Sequence, residues 1–145
     1  MAVSKYELLI RLASEKTDAM AKQMAFAREN LTRAQSKLEQ LANFLGEYKE
    51  KRIERGSMGI SVTQWVDFQH FIDRLDVAVN LQKEEVTTCQ SFYDVATAQW
   101  RDARKRLKAM ETLKEAESRR EDLKRARQEQ KQTDELASRV LSRGE

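Results

Sequence analysis

Residues Lys49–Ile60 read KEKRIERGSMGI, and Ser61–Trp65 continue SVTQW. This stretch decides the fold, because the 145-residue chain has no proline and four glycines, three of them at 46, 56 and 59. A chain that turns often needs Gly and Pro; one break in 145 residues leaves room for two long helices. Ser61 and Gln64 have the spacing of a capping box, in which the hydroxyl accepts from the Gln64 amide and the Gln64 side chain reaches back. Ile60 and Trp65 occupy the two positions of a hydrophobic staple. A helix therefore starts at about residue 62. Gly46 falls inside the apolar pattern, where an interior helix glycine costs about 1 kcal/mol.

On both sides of the break the apolar residues step by three and four. The first series runs from Val3 through Ile10, Met24, Leu31, Leu38 and Leu45 to Tyr48, and the second from Trp65 through Ile72, Val79, Cys89 and Trp100 to Met110. Each series has one polar member, Thr17 or Gln82. Seven heptads without a skip make a coiled-coil seam. The expected fold is all-α: a long antiparallel two-helix hairpin with a single-helix C-terminal extension, in one domain spanning residues 1–145. Helix 1 is expected over about 3–50, a loop over about 51–60, and helix 2 over about 62–141, paired to about 110. Equal series lengths suggest a register in which opposed numbers total 113. Tyr48 then meets Trp65, Leu45 meets Phe68, Ala34 meets Val79, Ala13 meets Trp100 and Val3 meets Met110. Small residues face large ones, which keeps layer volume constant.

Charge agrees with that pairing. Residues 61–94 carry two basic and six acidic side chains, and residues 19–52 carry seven basic and four acidic. Between Glu111 and Glu135, 15 of 25 residues are charged, as expected of a solvated single helix supported by pairs such as Glu115–Arg119, Glu121–Arg125 and Glu135–Arg139. Leu136, Val140 and Leu141 form a small apolar tuft near its end.

Chemistry has little footing in these residues. His70 and Cys89 are the single histidine and the single cysteine. There is no glycine-rich phosphate loop, GK[ST] or nucleophile elbow. No catalytic, cofactor-binding or metal-binding residue is expected. No run approaches the roughly 20 apolar residues of a membrane span, and no apolar core precedes a signal cleavage site. One cysteine fits a reducing compartment.

Two surfaces stand out. With Val3 and Trp65 at heptad position a, Phe44 and Phe71 both fall at g, and g faces g in an antiparallel pair. Together with Leu41, Tyr48, Leu75 and Ala78 they form an aromatic-lipped groove of the type that binds proteins. The competing reading is that the two rings merely widen the seam. Phe26 and Phe92 are weaker candidates, with no comparable cluster around them. Near the open end Arg101, Arg104, Lys105, Arg106 and Lys108 form a basic run. Without an aromatic ladder or an RNA-binding module, a protein partner with an acidic rim suits it better than nucleic acid.

Glu47-Tyr48, the GSMGI loop, WVDFQHFIDRL from Trp65 to Leu75 and the run from Trp100 to Leu107 resemble the flagellar FliJ proteins, over essentially the whole chain. The resemblance implies a cytoplasmic component of the bacterial flagellar type III export apparatus, peripheral to the inner membrane at the basal body. It implies a coiled-coil stalk whose open end, at Arg101, Arg104, Lys105 and Lys108, enters a hexameric export ATPase. It also implies contact with the membrane export gate protein and with substrate-specific export chaperones, and no enzymatic activity of its own. The family's gate-binding surface maps onto Leu41, Phe44, Tyr48, Phe71, Leu75 and Ala78, with Lys37 and Gln82 where the family pattern can have Gln and His. Alternatives are a generic coiled-coil scaffold or chaperone adaptor, and an RNA-contacting helical hairpin.

Overall fold

The computed structural model describes residues 5–144. It consists of two helices, α1 (Lys5–Met58) and α2 (Val62–Arg143), packed as an antiparallel hairpin. Among the described residues the buried ones are Ala27, Leu31, Ala34, Leu45, Ile72, Val79, Gln82, Cys89, Ala96 and Ala103. All lie on the two apolar series, so the 3–4 stepping is what the hairpin buries.

The turn is shorter than the sequence suggests. Residues 51–58, expected in a loop, continue α1, and the reversal is confined to Gly59, Ile60 and Ser61. Lys51, Arg52 and Arg55 are good helix formers, and each lays its cation over an aromatic ring. Lys51 lies 5.0 Å from the Tyr48 ring centre, Arg52 5.7 Å from Trp65 and Arg55 5.1 Å from Phe68. Arg52 also donates to the Gln69 carbonyl oxygen at 2.7 Å. The Lys51 contact lies within α1, whereas those of Arg52 and Arg55 hold the last turns of α1 against the start of α2. Gly56 is helical because the Trp65 indole occupies the place of a side chain: a Cβ there would come within 2.9 Å of the ring. Gly59, at φ +83°, ends the helix in the left-handed conformation that glycine adopts without cost.

The start of α2 is built as its sequence predicts. Ser61 Oγ accepts from the Gln64 amide at 3.1 Å, Gln64 Oε1 accepts from the Ser61 amide at 3.4 Å, and the Ser61 carbonyl accepts from Trp65 N at 3.0 Å. Ile60 and Trp65, the expected staple pair, line one hollow with Ile53 and Val62, and the Trp65 ring lies against Gly56 and Arg52 on α1.

The chain divides into two compact units. In the unit of residues 18–101 two clusters form the core. One gathers Leu31, Ala34 and Cys89 with Val86 and Tyr93; the other gathers Leu45, Ile72 and Val79 with Leu38, Leu41, Tyr48 and Leu75. The layers Leu31/Cys89, Leu45/Leu75 and Leu41/Val79 each total 120. Gly56 against Trp65 continues the same register. The expected total of 113 is therefore wrong by one heptad. The physical reason is the turn: α1 runs to Met58, which moves the midpoint of the hairpin to Ile60. Tyr48 accordingly packs with Phe68 and Phe71, at centroid distances of 6.5 and 4.6 Å. Ala34 lies in the Val86 layer rather than the Val79 layer.

In the unit of residues 1–17 and 102–145, Ala13 shares a hollow with Ala103, Arg106 and Met110. Lys114 Nζ reaches Glu7 Oε1 at 3.8 Å. Here too the register is close to 120, and pairing passes Met110 to reach Lys114. The pairing expected between Val3 and Met110 falls outside the described residues. From Ser118 to Gly144 every residue is exposed. Glu115–Arg119 is present at 4.0 Å, and Arg125 pairs with Asp122 at 3.9 Å.

Candidate protein-docking surface

The side chains expected to form the groove lie within the unit of residues 18–101. Leu41, Tyr48 and Leu75 are half-buried around the Leu45–Ile72–Val79 cluster and form its floor. Phe44 and Phe71 are 52% and 40% exposed, too open to be sealed by one another. The Phe71 ring meets Tyr48 edge-on at an interplanar angle of 62°, which fixes it beside the seam. Ala78, Lys37, Leu41 and Gln82 line one cavity of about 980 Å³. Gln82 has a different place from a rim residue: it is buried, and its amide donates to the Ala34 carbonyl at 3.0 Å.

The groove does not end there. Phe26 and Phe92, which the sequence left without a cluster, line a second cavity of about 620 Å³ together with Ala27, Val95 and Ala96. Phe26, Leu81, Phe92 and Val95 are all more than half exposed. The signal for them lay in the heptad. Phe26, Leu81 and Val95 are at c, beside the g positions of Phe44, Phe71, Ala78 and Phe92. An apolar stripe spanning c and g beside a complete a/d seam is wider than a two-helix coiled coil requires.

Cys89 sits under this surface, lining both cavities. Burial raises its thiol pKa, and the neighbouring Glu85 carboxylate, with Oε1 3.6 Å from Sγ, adds to the rise by repulsion and by accepting the thiol hydrogen. A thiol whose pKa is raised in this way is a slower nucleophile than an ordinary cysteine and serves chiefly as a packing group.

Arg101, Arg104, Lys105, Arg106 and Lys108 are exposed on α2. Arg106 borders the hollow formed by Leu9, Leu12 and Ala13. His70 is exposed. Among the described residues no group of three or more His, Cys, Asp or Glu is placed to hold a metal ion. No described helix is long and apolar enough to cross a membrane.

A surface with exposed aromatic rings over a buried apolar floor and no chemical machinery is suited to holding another protein. The family model described as "Flagellar FliJ protein" matches residues 2–145. The chain belongs to the flagellar FliJ family. Similar relatives are the flagellar FliJ proteins of Escherichia coli strain K12 and of Salmonella typhi. The first is 29% identical over 132 residues, covering 91% of this chain and 90% of the relative. The second is 28% identical over 137 residues, covering 94% and 93%. Among solved structures, a putative YscO homologue, CT670 from Chlamydia trachomatis, aligns with a TM-score of 0.45 at 19% identity, covering 97% of this chain and 95% of that one. Within the FliJ family, this chain carries its apolar stripe on one face of the hairpin and its basic run on α2.

Proposed function

We propose that this protein is a component of the bacterial flagellar export apparatus, acting as a coiled-coil stalk. Its basic run at Arg101, Arg104, Lys105 and Lys108 engages a hexameric export ATPase, and its aromatic groove engages the export gate membrane protein. Export chaperones are its further partners, and it acts in the cytoplasm at the membrane face of the basal body. It has no catalytic activity and modulates that of the ATPase. The observation that carries this reading is the exposure of Phe44 and Phe71, with the Phe71 ring against the half-buried Tyr48, in a chain of the FliJ family. Desolvating such rings supplies binding energy, whereas exposed cations chiefly guide association and register.

The test is ATP hydrolysis by the cognate export ATPase as the protein is titrated in. Stimulation is expected, and it should be lost in a folded variant with Arg101, Arg104 and Lys105 changed to Ala. Gate binding, measured separately, should weaken by at least about tenfold in Phe44→Ala/Phe71→Ala. Unchanged hydrolysis under ring-forming conditions would remove the stalk role, and normal gate affinity in the folded double variant would remove the groove assignment.

A further inference from the structure

The two cavities of the residue 18–101 unit share Asn30, Cys89 and Phe92, so they form one trough along the hairpin. Its apolar wall is Phe26, Leu81, Phe92 and Val95, each more than half exposed. Its two lips differ in charge. On α1 the lip carries Lys22, Arg33 and Lys37, with Arg33 also paired to Glu29 at 3.0 Å; on α2 it carries Glu84 and Glu85.

We propose that this trough docks one amphipathic α-helix of a partner protein, with an acidic edge along α1 and a basic edge along α2, completing a three-helix bundle. The proposal stands on Phe26, Leu81, Phe92 and Val95, which the gate and ATPase readings do not use, although one end of the trough, at Lys37, Leu41, Ala78 and Gln82, overlaps the surface proposed for the gate.

Three observations select a helix. The trough is bordered only by α1 and α2, whose interior backbone donors and acceptors are already paired. An extended segment would therefore bury its own N–H and C=O groups without partners, whereas a helix arrives with them satisfied. The lining side chains recur at c, d and g positions, the spacing of ridges into which another helix packs. The opposite charges of the lips then set the occupant's direction, because reversing a helix in a groove exchanges its two flanks. From Lys22 to Leu41 the trough is about 30 Å long, the length of a helix of about 20 residues.

The experiment uses the full-length protein and a fluorescein-labelled helical peptide of about 20 residues, with Leu at a and d, Glu on one flank and Lys on the other. Fluorescence anisotropy should saturate. The native Cys89 at the trough floor reports occupancy, and its alkylation by N-ethylmaleimide should slow several-fold when the peptide is saturating. Phe26→Ala/Phe92→Ala should weaken binding by about tenfold with helicity by circular dichroism unchanged, whereas Phe44→Ala should change it less than about twofold. A peptide with Glu on both flanks should bind more weakly than the mixed one and regain affinity for Glu84→Lys/Glu85→Lys. Absence of binding, indifference to the Phe26/Phe92 change, or indifference to flank charge would each overturn the proposal. So would a free protein that sediments as a dimer and becomes monomeric on Phe92→Ala, since the occupant would then be a second copy.

Discussion

The side-chain amide of Gln82 donates to the main-chain carbonyl of Ala34 at 3.0 Å, from one helix of the hairpin to the other, at a site where Gln82 is 8% exposed. The bond satisfies a buried polar group and ties α2 to α1 at this layer. Gln82→Ala should destabilise the fold by about 1–3 kcal/mol in thermal or urea unfolding. Gln82→Leu should cost less, because an apolar side chain of similar size leaves no cavity and no unpaired amide. Equal melting temperatures for the two variants and the parent would show that the bond is energetically silent.

The three glycines near the turn should respond differently to alanine. Gly46 has open space around its missing side chain, so Gly46→Ala should stabilise by about 0.5–1 kcal/mol. Gly56→Ala gains the same helix preference, but its Cβ would meet the Trp65 ring at 2.9 Å and displace it from Arg52, so its net gain should be smaller or absent. Gly59→Ala places a side chain at φ +83° and should destabilise by about 1–2 kcal/mol. Urea unfolding of the three single variants checks the order.

The register is open to chemical test with the native thiol. Cys89 lies in one cluster with Leu31, so a Leu31→Cys variant should be bridged within the chain by dibromobimane. Met24→Cys, which a total of 113 would place opposite Cys89, should not. The reverse pattern would restore the register read from the sequence.

Stability should also depend on the Cys89 thiol. Its pKa is raised in the folded protein by burial and by Glu85, so the native state holds the proton after the unfolded chain has lost it. The native state then binds more protons than the unfolded one, and stability falls as pH rises. The contribution is complete below the unfolded thiol pKa, which is about 8.5, and is lost as pH climbs towards the folded value. Unfolding of the parent and of Cys89→Ala from pH 7 to pH 10 should show a steeper decline in the parent. Parallel pH profiles would mean that the thiol does not contribute.

The hairpin was legible in the sequence because its seam repeats without a skip and because Ser61-Val62-Thr63-Gln64 carries both halves of a capping box. Those signals are local, and the structure contains them as written. The exposure of Phe44 and Phe71 was legible from their heptad positions, and the structure places Phe71 against Tyr48. Phe26 and Phe92 read only as weaker candidates because they are far apart in the chain, and only the pairing of α1 with α2 brings them to one cavity. Gln82 was read both as the polar member of the seam and as part of the groove. Its bond to Ala34 ties its amide to the seam.

By itself the sequence determined the class of fold, the positions that are buried and the start of α2. Each of these depends on interactions within a few residues along one helix: periodicity, capping and the left-handed turn at glycine. Tertiary structure decided the register and the extent of the turn. A heptad seam can slide by seven residues and still oppose apolar to apolar, so periodicity alone does not choose among the alternatives. The choice was made by contacts between the helices: Trp65 on Gly56, Arg52 on Gln69 and Arg55 on Phe68.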